Sequence, residues 1–287
     1  MTTTFTPARP IWCAGCGDFG VLQALVNALE ELGVPPHKRM VIAGIGCSGS
    51  LQNNLSCYGY HALHGRVLPT ATGAKLANPE LTVIGVGGDG DGYAIGGGHL
   101  MHAFKRNPGV TYIVMNNGTY GLTKGQPSPT APVGYGDNIE EDLDPIMLGL
   151  SIPGSTFLAR AYSGAPAQLL ELTKAALEHT AAGRGMSYLE VLSPCVTYND
   201  TYRDWRTSVY DIDAEAGYDA GNRAQAFVRM SELREQGRLP LGLVYRGERP
   251  ALEELALNRD FEAPALQDVA GPAALAGYRE AMQSFMR

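Results

Sequence analysis

VIGVGGDGDGYAIGGGH, residues 83–99, and YIVMNNGTYGLTKGQ, residues 112–126, are the most informative stretches of this chain. In each, an apolar run typical of a buried strand ends in a turn where glycine lets the backbone approach a ligand closely. The first turn carries Asp89 and Asp91, and the second carries Asn117. A carboxylate and an amide oxygen at neighbouring strand ends can hold a magnesium ion, which keeps further positions for phosphate oxygens. The two stretches therefore predict a metal–phosphate site.

The spacing of the two turns resembles the thiamine-diphosphate motif, in which Gly-Asp-Gly is followed at a distance by Asn-Asn. Here Gly88-Asp89-Gly90 stands first and Asn116-Asn117 follows. Gly-Asp-Gly alone would be weak evidence, because ordinary turns are rich in both residues. With the paired asparagines, the motif favours thiamine diphosphate as a cofactor over a purely structural turn.

The order of predicted elements is typical of an α/β protein. Helical patterns alternate with short apolar strand patterns, which predicts a mainly parallel sheet with helices on both faces. After about residue 200 the sequence becomes polar and acidic. We expect a cofactor-binding domain over 1–200 and a C-terminal extension over 201–287 that packs on the body or on a partner. The predicted helices are 19–32, 71–78, 93–106, 165–182, 222–236 and 273–286, and the predicted strands are 41–45, 81–86, 110–115 and 188–192.

Composition excludes several classes of protein. The formal net charge is −7, and the chain has no long run of lysine and arginine, so a nucleic-acid partner has little electrostatic support. No apolar stretch approaches the length of about 20 residues that spans a bilayer. The N-terminal segment MTTTFTPARPIW lacks the charged and apolar regions of a secretion signal. We expect a soluble, cytoplasmic protein that does not contact a membrane.

The five cysteines suggest metal chemistry rather than disulfides, because their number is odd and no secretion signal precedes them. Cys13 and Cys16 form a CxxC pair that could belong to a zinc knuckle, a redox dithiol or an iron–sulfur cluster. Cys47 and Cys195 follow predicted strands, so they could join that pair around one cluster. Both could equally be small core residues, since free cysteine is often buried. Cys57 is the predicted spare.

These residues lie in motifs that resemble the beta subunit of the 2-oxoacid:ferredoxin oxidoreductases, from about Trp12 to Cys195. The resemblance implies a thiamine-diphosphate-binding fold of the diphosphate-module type. It also implies one four-iron four-sulfur cluster on Cys13, Cys16, Cys47 and Cys195. The motifs, in chain order, are WCAGCGDFG, GIGCSG, HGRVLPTATGAKLANP, GDGDGYAIGGGH, NNGTYGLTKGQPSPT and LSPCVTYND.

The same resemblance implies a ligand set for magnesium. Asp89 would supply a carboxylate oxygen, Asn117 its side-chain oxygen and Thr119 its backbone carbonyl. Asp91 is a rival for the first role because it also lies between glycines, but Asp89 aligns with the first Gly-Asp-Gly of the family. His64 corresponds to a position near the diphosphate, with a structural histidine as the alternative. The remaining expected cofactor contacts are Ile45, Gly46, Cys47, Ser48, Gly90, Asp91, Gly121 and Leu122.

Lys124 indicates the substrate. Relatives that act on pyruvate tend to have glycine at this place in the loop, whereas relatives reading LTKGQ often use 2-oxoglutarate. A cation here could pair with a carboxylate of a 2-oxoacid. An exposed loop lysine without a role is the alternative interpretation, and a pyruvate or broad-specificity enzyme is the alternative function.

The resemblance also implies the reaction and its partners. A 2-oxoacid would be decarboxylated oxidatively with coenzyme A to an acyl-CoA, with ferredoxin as electron acceptor, and the reverse reaction could fix carbon dioxide. An alpha subunit would supply the pyrimidine-binding half and the catalytic glutamate, in an alpha–beta heterodimer or its dimer. The competing interpretations are an iron-free thiamine-dependent decarboxylase and a cluster carrier without catalysis.

Overall fold

The computed structural model describes residues 5–257, 263–268 and 271–286 of this chain. Residues 1–4 lie outside the described residues. They are the first part of the segment MTTTFTPARPIW, which lacks the features of a secretion signal. The strands are β1 (Arg39–Ala43), β2 (Tyr58–His61), β3 (Thr82–Gly88), β4 (Val110–Asn116), β5 (Thr119–Tyr120), β6 (Gln126–Pro127), β7 (Phe157–Tyr162), β8 (Ser187–Leu192), β9 (Val209–Asp211) and β10 (Leu239–Arg246).

The helices follow the strands in a largely alternating order. They are α1 (Asp18–Glu31), α2 (Val67–Ala77), α3 (Gly97–Arg106), α4 (Pro145–Ser151), α5 (Pro166–Ala181), α6 (Tyr202–Ser208), α7 (Arg223–Glu235), α8 (Leu252–Leu257) and α9 (Pro272–Ser284). Short 3₁₀ turns cover Pro36–Lys38, Ser48–Asn54 and Pro264–Leu266, and a π-helical turn covers Gly90–Ile95.

Within the described residues the central sheet has eight strands in the order β2-β1-β3-β4-β8-β7-β10-β9. From β2 to β7 every neighbouring pair is parallel, and β10 runs antiparallel to β7. Apart from the exposed edge strand β2, these parallel strands are largely buried on both faces, which explains their mainly apolar sequences. Their carboxyl ends lie at one edge of the sheet, where open α/β sheets bind ligands.

Helices cover both faces of the sheet. On one face α1 and α5 pack against a core that includes Leu25, Leu29 and Leu172. On the other face α2, α3, α4 and α7 enclose a core that includes Phe104 and Tyr188. The prediction of a mainly parallel α/β sheet with helices on both faces is confirmed.

The start of one predicted helix was wrong. The pattern indicated a single helix over 93–106, but α3 begins at Gly97 and a π-helical turn precedes it. The change of helical type falls at Gly96, the first of three consecutive glycines, which are poor helix formers. π-helical turns often occur at functional sites, and this one follows Asp89.

The C-terminal part of the chain adds to the same sheet. Strand β10 pairs with β7, and β9 pairs with β10, so the sheet continues past residue 200. The domain boundary at 200 stays a prediction. Among the described residues, no helix combines the length and the apolar character needed to cross a bilayer.

Candidate cofactor site

Asp89 begins the turn that follows β3 at the carboxyl edge of the sheet. Its side chain is buried, with Oδ2 accepting a hydrogen bond from the Ser128 hydroxyl and lying 2.6 Å from Thr130 Oγ1. Burial raises the pKa of the Asp89 carboxyl, although these two hydroxyls oppose that shift. At Gly90 any side chain would collide with the ring of Tyr120, so the close approach of the two turns requires glycine.

Asp91 serves mainly to connect neighbouring loops. Its Oδ1 accepts hydrogen bonds from the backbone nitrogens of Ile45 at 3.0 Å and Gly65 at 2.8 Å, and lies 2.9 Å from His64 Nδ1. Its Oδ2 faces the backbone of Gly44, where a β-carbon would collide with it. Within the described residues, that buried oxygen has no hydrogen-bond partner.

The second turn leaves β4 through Asn117 and Gly118. Gly118 has φ +67°, a conformation that favours glycine. The side-chain oxygen of Asn117 accepts a hydrogen bond from Thr119 N at 3.0 Å, and its backbone carbonyl accepts one from Asn199 Nδ2 at 2.8 Å. The Thr119 carbonyl accepts from Gly121 N at 3.1 Å. These bonds hold the oxygens of Asn117 and Thr119 beside the turn of Asp89.

A cavity of about 300 Å³ lies between the two turns. The sequence-predicted residues that line it are Ile45, Gly46, Cys47, Ser48, His64, Asp89, Gly90, Asp91, Asn117, Thr119, Gly121 and Leu122. Within the described residues, the buried hydroxyl of Ser48 has no hydrogen-bond partner. A buried polar group without a partner is costly, so this cavity has the chemistry of a site for a polar ligand.

Lys124 lies in the loop that closes this end of the sheet, but it is missing from the described residues that line the cavity. Its side chain is exposed, and its backbone has φ +81°. A left-handed backbone is strained for any residue with a β-carbon, and such strain is concentrated at functional sites. The structure therefore gives Lys124 an unusual backbone without placing it on the cavity wall.

A second cavity, of about 270 Å³, is lined by four of the five cysteines. These four are Cys13, Cys16, Cys47 and Cys195. The Cys47 and Cys195 sulfurs each lie 3.7 Å from the point that a β-carbon on Gly121 would occupy. Cys57 is missing from the described lining and packs against the core beneath α1, with its thiol 3.7 Å from the Gln52 carbonyl oxygen.

Two thiols of this cavity, those of Cys16 and Cys47, favour their protonated form. Burial, and then the nearby carboxylate of Asp18, raise the pKa of Cys16 far above its ordinary value, and burial raises the pKa of Cys47 to about 11. A metal that binds these sulfurs must displace protons, which makes its affinity dependent on pH. Within the described residues, no three His, Cys, Asp or Glu side chains form a group that could hold a metal ion.

The two cavities are neighbours. Residues that line both are Gly46, Cys47, Asn117, Gly121 and Leu122. A group bound among the cysteines would therefore lie next to a group bound between the two turns.

Asp18 is a site residue that the sequence reasoning missed. It is buried at the first position of α1, lines the larger cavity and accepts a hydrogen bond from Ser193 Oγ at 2.6 Å. Burial raises the pKa of its carboxyl to about 6, against the opposing hydrogen bonds of Ser193 and Cys16. Its place two residues after Cys16 was the available signal, since a residue following a CxxC pair lies close to its thiols.

Two family models match successive parts of the chain. The model described as "Thiamine pyrophosphate enzyme, C-terminal TPP binding domain" matches residues 44–191. A model for the C-terminal part of the beta chain of pyruvate ferredoxin oxidoreductase matches residues 195–258. The first covers both turns of the larger cavity, and the second begins at Cys195.

Whole-chain comparisons agree with these models. The beta subunit of 2-oxoacid:ferredoxin oxidoreductase 2 from Aeropyrum pernix is 42% identical over 265 residues, covering 87% of this chain and 84% of that one. The chain belongs to the beta subunits of the 2-oxoacid:ferredoxin oxidoreductases. A beta subunit of this family implies an alpha partner, and its thiamine-binding domain confirms the predicted thiamine diphosphate chemistry.

Two further relatives carry more specific names. The 2-oxoglutarate oxidoreductase subunit KorB of Mycobacterium tuberculosis is 42% identical over 195 residues, covering 66% of this chain and 51% of that one. A solved structure of 2-oxoglutarate:ferredoxin oxidoreductase from Magnetococcus marinus, with 2-oxoglutarate, coenzyme A and succinyl-CoA bound, has a TM-score of 0.81 and 36% identity. The match covers 93% of this chain and 94% of that one.

Proposed function

We propose that this beta subunit belongs to a cytoplasmic 2-oxoglutarate:ferredoxin oxidoreductase. With its alpha partner it converts a 2-oxoacid and coenzyme A into an acyl-CoA and carbon dioxide, and passes two electrons singly to oxidised ferredoxin. With a sufficiently reducing donor the same complex fixes carbon dioxide. The observation that carries this proposal is the adjacency of the two cavities, one between the thiamine-motif turns and one among four cysteines.

Asp89, Asn117 and Thr119 are the proposed magnesium ligands. Their donor set is one carboxylate and two neutral oxygens, which suits a hard cation that also binds phosphate. Asp89 is a better candidate than Asp91, because Asp91 uses Oδ1 to hold three neighbouring groups and directs Oδ2 at the backbone of Gly44. Thiamine diphosphate, when bound here with magnesium, supplies the chemistry that cleaves the bond beside the keto group.

The neighbouring chain segments would orient that cofactor. Ile45, Gly46, Cys47 and Ser48 line the cavity in the loop after β1, and backbone N–H groups at such glycine-rich turns bind phosphate oxygens. The Ser48 hydroxyl, which lacks a partner within the described residues, is available to a ligand. Gly121 and Leu122 line both cavities and would therefore contact both bound groups.

The four cysteines that share a cavity would hold a four-iron four-sulfur cluster. Four thiolates are the usual ligand set of this cluster, and its cubane core keeps them farther apart than a single ion does. The cavity of about 270 Å³ that these four cysteines line offers space for such a group. When bound, the cluster accepts single electrons, and the exposed position of Cys13 offers ferredoxin a short route to it.

The larger cavity is half of a complete site. Among the described residues that line it there is no glutamate, which is the residue that thiamine activation requires. The alpha partner would supply that glutamate together with the pyrimidine-binding half. This division explains why we expect the beta subunit to be inactive alone and active as a heterodimer or a dimer of heterodimers.

Lys124 favours 2-oxoglutarate over pyruvate. A lysine with a left-handed backbone is costly where glycine would be free of strain, and its positive charge suits the second carboxylate of a dicarboxylic 2-oxoacid. The named relatives also include enzymes of 2-oxoglutarate. A pyruvate or broad-specificity enzyme is the second candidate, favoured by the family model named for pyruvate.

A panel of 2-oxoacids tests the substrate directly. The alpha–beta complex, purified without oxygen, is assayed with coenzyme A and oxidised ferredoxin. We expect kcat/KM for 2-oxoglutarate to exceed that for pyruvate at least tenfold. A higher kcat/KM for pyruvate would contradict the substrate assignment, and no activity with any 2-oxoacid would contradict the proposed reaction.

Cysteine substitutions test the cluster. Cys195→Ser in the complex should abolish or strongly reduce bound iron and the broad absorbance near about 400 nm that accompanies iron–sulfur clusters. Cys57→Ser is the matched control, because its thiol packs against the core beneath α1. Loss of iron from Cys57→Ser together with full iron in Cys195→Ser would refute the assignment.

A further inference from the structure

A buried ion pair lies inside the central sheet beside the proposed metal site. Arg160 on β7 and Glu190 on β8 are register partners, with Arg160 Nε donating to Glu190 Oε2 at 2.6 Å. Their exposed fractions are 5% and 1%. The rest of β8 is also buried, so this pair occupies positions where apolar side chains would ordinarily pack.

Such a pair does not stabilise a fold cheaply. Removing two charges from water costs several kcal/mol per ion, and well-packed apolar residues in the same place are often as stabilising or more so. Asp144, which caps the N-terminus of α4, accepts a second hydrogen bond from Arg160 at 2.9 Å, and its other carboxylate oxygen lies 3.8 Å from Arg234 Nη1. Stability alone therefore does not account for this ion pair.

The second oxygen of Glu190 connects the pair to the cofactor turns. Glu190 Oε1 accepts a hydrogen bond from Asn116 Nδ2 at 2.8 Å, which fixes the orientation of that amide. Asn116 Oδ1 then accepts from Gly118 N at 3.1 Å and lies 2.7 Å from Thr130 Oγ1. The Thr130 hydroxyl is in turn 2.6 Å from Asp89 Oδ2.

This contact series crosses four strands of the sheet. It begins at Arg160 on β7, passes through Glu190 on β8 and Asn116 at the end of β4, and reaches Asp89 after β3. It contacts both parts of the proposed magnesium site, because Gly118 belongs to the turn of Asn117 and Thr119. A rotated Asn116 amide would lose its bond to Gly118 and place a donor against Thr130.

We propose that Arg160 and Glu190 are positioning residues that fix the Asn116 amide and thereby hold the two metal-binding turns in register. This inference rests on the proposed magnesium and thiamine diphosphate site. Residues that orient metal ligands typically change metal affinity 10- to 100-fold when they are removed.

An apolar replacement of the pair separates positioning from stability. The double variant Arg160→Met/Glu190→Leu is made in the alpha–beta complex, where Asp144 keeps its capping bonds to α4 and a contact with Arg234. We expect only a modest fall in its unfolding temperature, because apolar residues of similar volume offset much of the loss of the Asn116 hydrogen bond and of the Arg160–Asp144 contact. We expect the magnesium concentration that half-saturates thiamine diphosphate binding to rise at least about tenfold.

Two further variants complete the experiment. Glu190→Gln keeps the shape of the side chain but has one acceptor oxygen, so it cannot accept hydrogen bonds from both Arg160 and Asn116 as the carboxylate does. The magnesium concentration that half-saturates thiamine diphosphate binding should therefore also rise, by about threefold or more. Glu253→Gln is the control, since Glu253 is a buried acid whose Oε2 accepts from Gly109 N at the opposite edge of the sheet. It should lower the unfolding temperature and leave magnesium dependence unchanged.

The outcomes are distinct. Unchanged magnesium dependence in Glu190→Gln and in the double variant would overturn the positioning role. If the double variant does not fold, the magnesium dependence of Glu190→Gln compared with that of Glu253→Gln decides whether the pair has a positioning role. Failure of the unmodified complex to bind thiamine diphosphate with magnesium would instead overturn the proposed function, whatever the variants do.

Discussion

The two edges of the central sheet place their buried polar groups in different surroundings. At the amino edge Asn107, buried and left-handed with φ +58°, accepts hydrogen bonds from Thr156 Oγ1 at 2.9 Å and Met186 N at 2.8 Å. Its Nδ2 donates to the Arg184 carbonyl at 3.0 Å. At the carboxyl edge, within the described residues, Ser48 Oγ is buried without a partner.

Within the described residues His179 Nδ1 at the amino edge is also buried without a hydrogen-bond partner. The edges therefore differ in the surroundings of such groups, since Ser48 lines the cavity between the two turns and His179 packs against Phe157. Both edges contain a strained non-glycine backbone, at Asn107 and at Lys124. The strain at Asn107 is offset by several hydrogen bonds, and asparagine tolerates this conformation better than lysine does. Among the residues that the structure describes, no comparable set of side-chain hydrogen bonds offsets the backbone strain at Lys124. Such uncompensated strain is expected where a residue is kept for its function.

The largest effect should follow from Asp89→Ala. We expect magnesium-dependent retention of thiamine diphosphate by the complex to fall at least about 100-fold, because the carboxylate ligand is lost. The unfolding temperature without cofactor should not fall, since a buried carboxyl is removed. Equilibrium dialysis and calorimetry measure the two effects. Normal retention would transfer the ligand role to Asp91 or refute the site.

Asn107→Ala should do the reverse at the other edge. The variant loses every side-chain hydrogen bond of Asn107 and places alanine in a left-handed conformation, so the free energy of unfolding should fall by about 3 kcal/mol. The affinity of the folded complex for thiamine diphosphate should stay unchanged. Asn107→Gly also loses the side-chain hydrogen bonds but adopts the left-handed backbone without strain, so its free energy of unfolding should fall less than that of Asn107→Ala. A change of cofactor affinity in either variant would break the contrast between the edges.

Lys124→Gly should affect both function and stability, in opposite directions. The KM for 2-oxoglutarate should rise about tenfold while that for pyruvate changes little, and relief of the backbone strain should stabilise the subunit by about 1 kcal/mol. Lys124→Ala is the matched control, because it removes the charge and keeps the strain. Equal effects on both substrates would remove Lys124 from substrate recognition.

The smallest effect concerns the acid stability of the amino edge. Burial lowers the pKa of His179 from 6.5 to about 4, with nearby arginines adding to the shift. An unfolded histidine binds the proton more readily, so stability is lost as the pH falls from 6.5 toward 4. Between pH 6.5 and about pH 5.5, the free energy of unfolding measured with denaturant should fall by about 1 kcal/mol more in the unmodified complex than in His179→Gln. Equal losses would show that His179 titrates normally.

Much of the fold was predictable because its strands are apolar on both faces. The run before Asn116 predicted β4 almost to the residue, and the alternation of patterns predicted the parallel sheet. Strand β7 was not predicted because Arg160 interrupts its apolar run, and its pairing with Glu190 is invisible in sequence. Strand β10 was not predicted because it joins the sheet from a polar region and contains Gly242 with φ +124°.

The candidate site was predictable where chemistry lies in local motifs. Asp89, Asn117 and the cysteines belong to such motifs, although their roles as ligands stay predictions. The supporting hydroxyls were missed, since Ser128 and Thr130 reach Asp89 from about 40 residues away in a loop without a distinctive pattern. Sequence spacing predicts which strand ends meet, but it does not predict which distant side chains complete the contacts.

Cofactor analysis of the complex, purified without oxygen, tests most directly whether the carboxyl edge holds two cofactors side by side. We predict about one thiamine diphosphate and about four irons for each copy of this chain. Asp89→Ala should lose the thiamine diphosphate and keep the iron, and Cys195→Ser should lose the iron. A colourless complex that retains thiamine diphosphate, or one with iron that never binds thiamine diphosphate, would contradict the account.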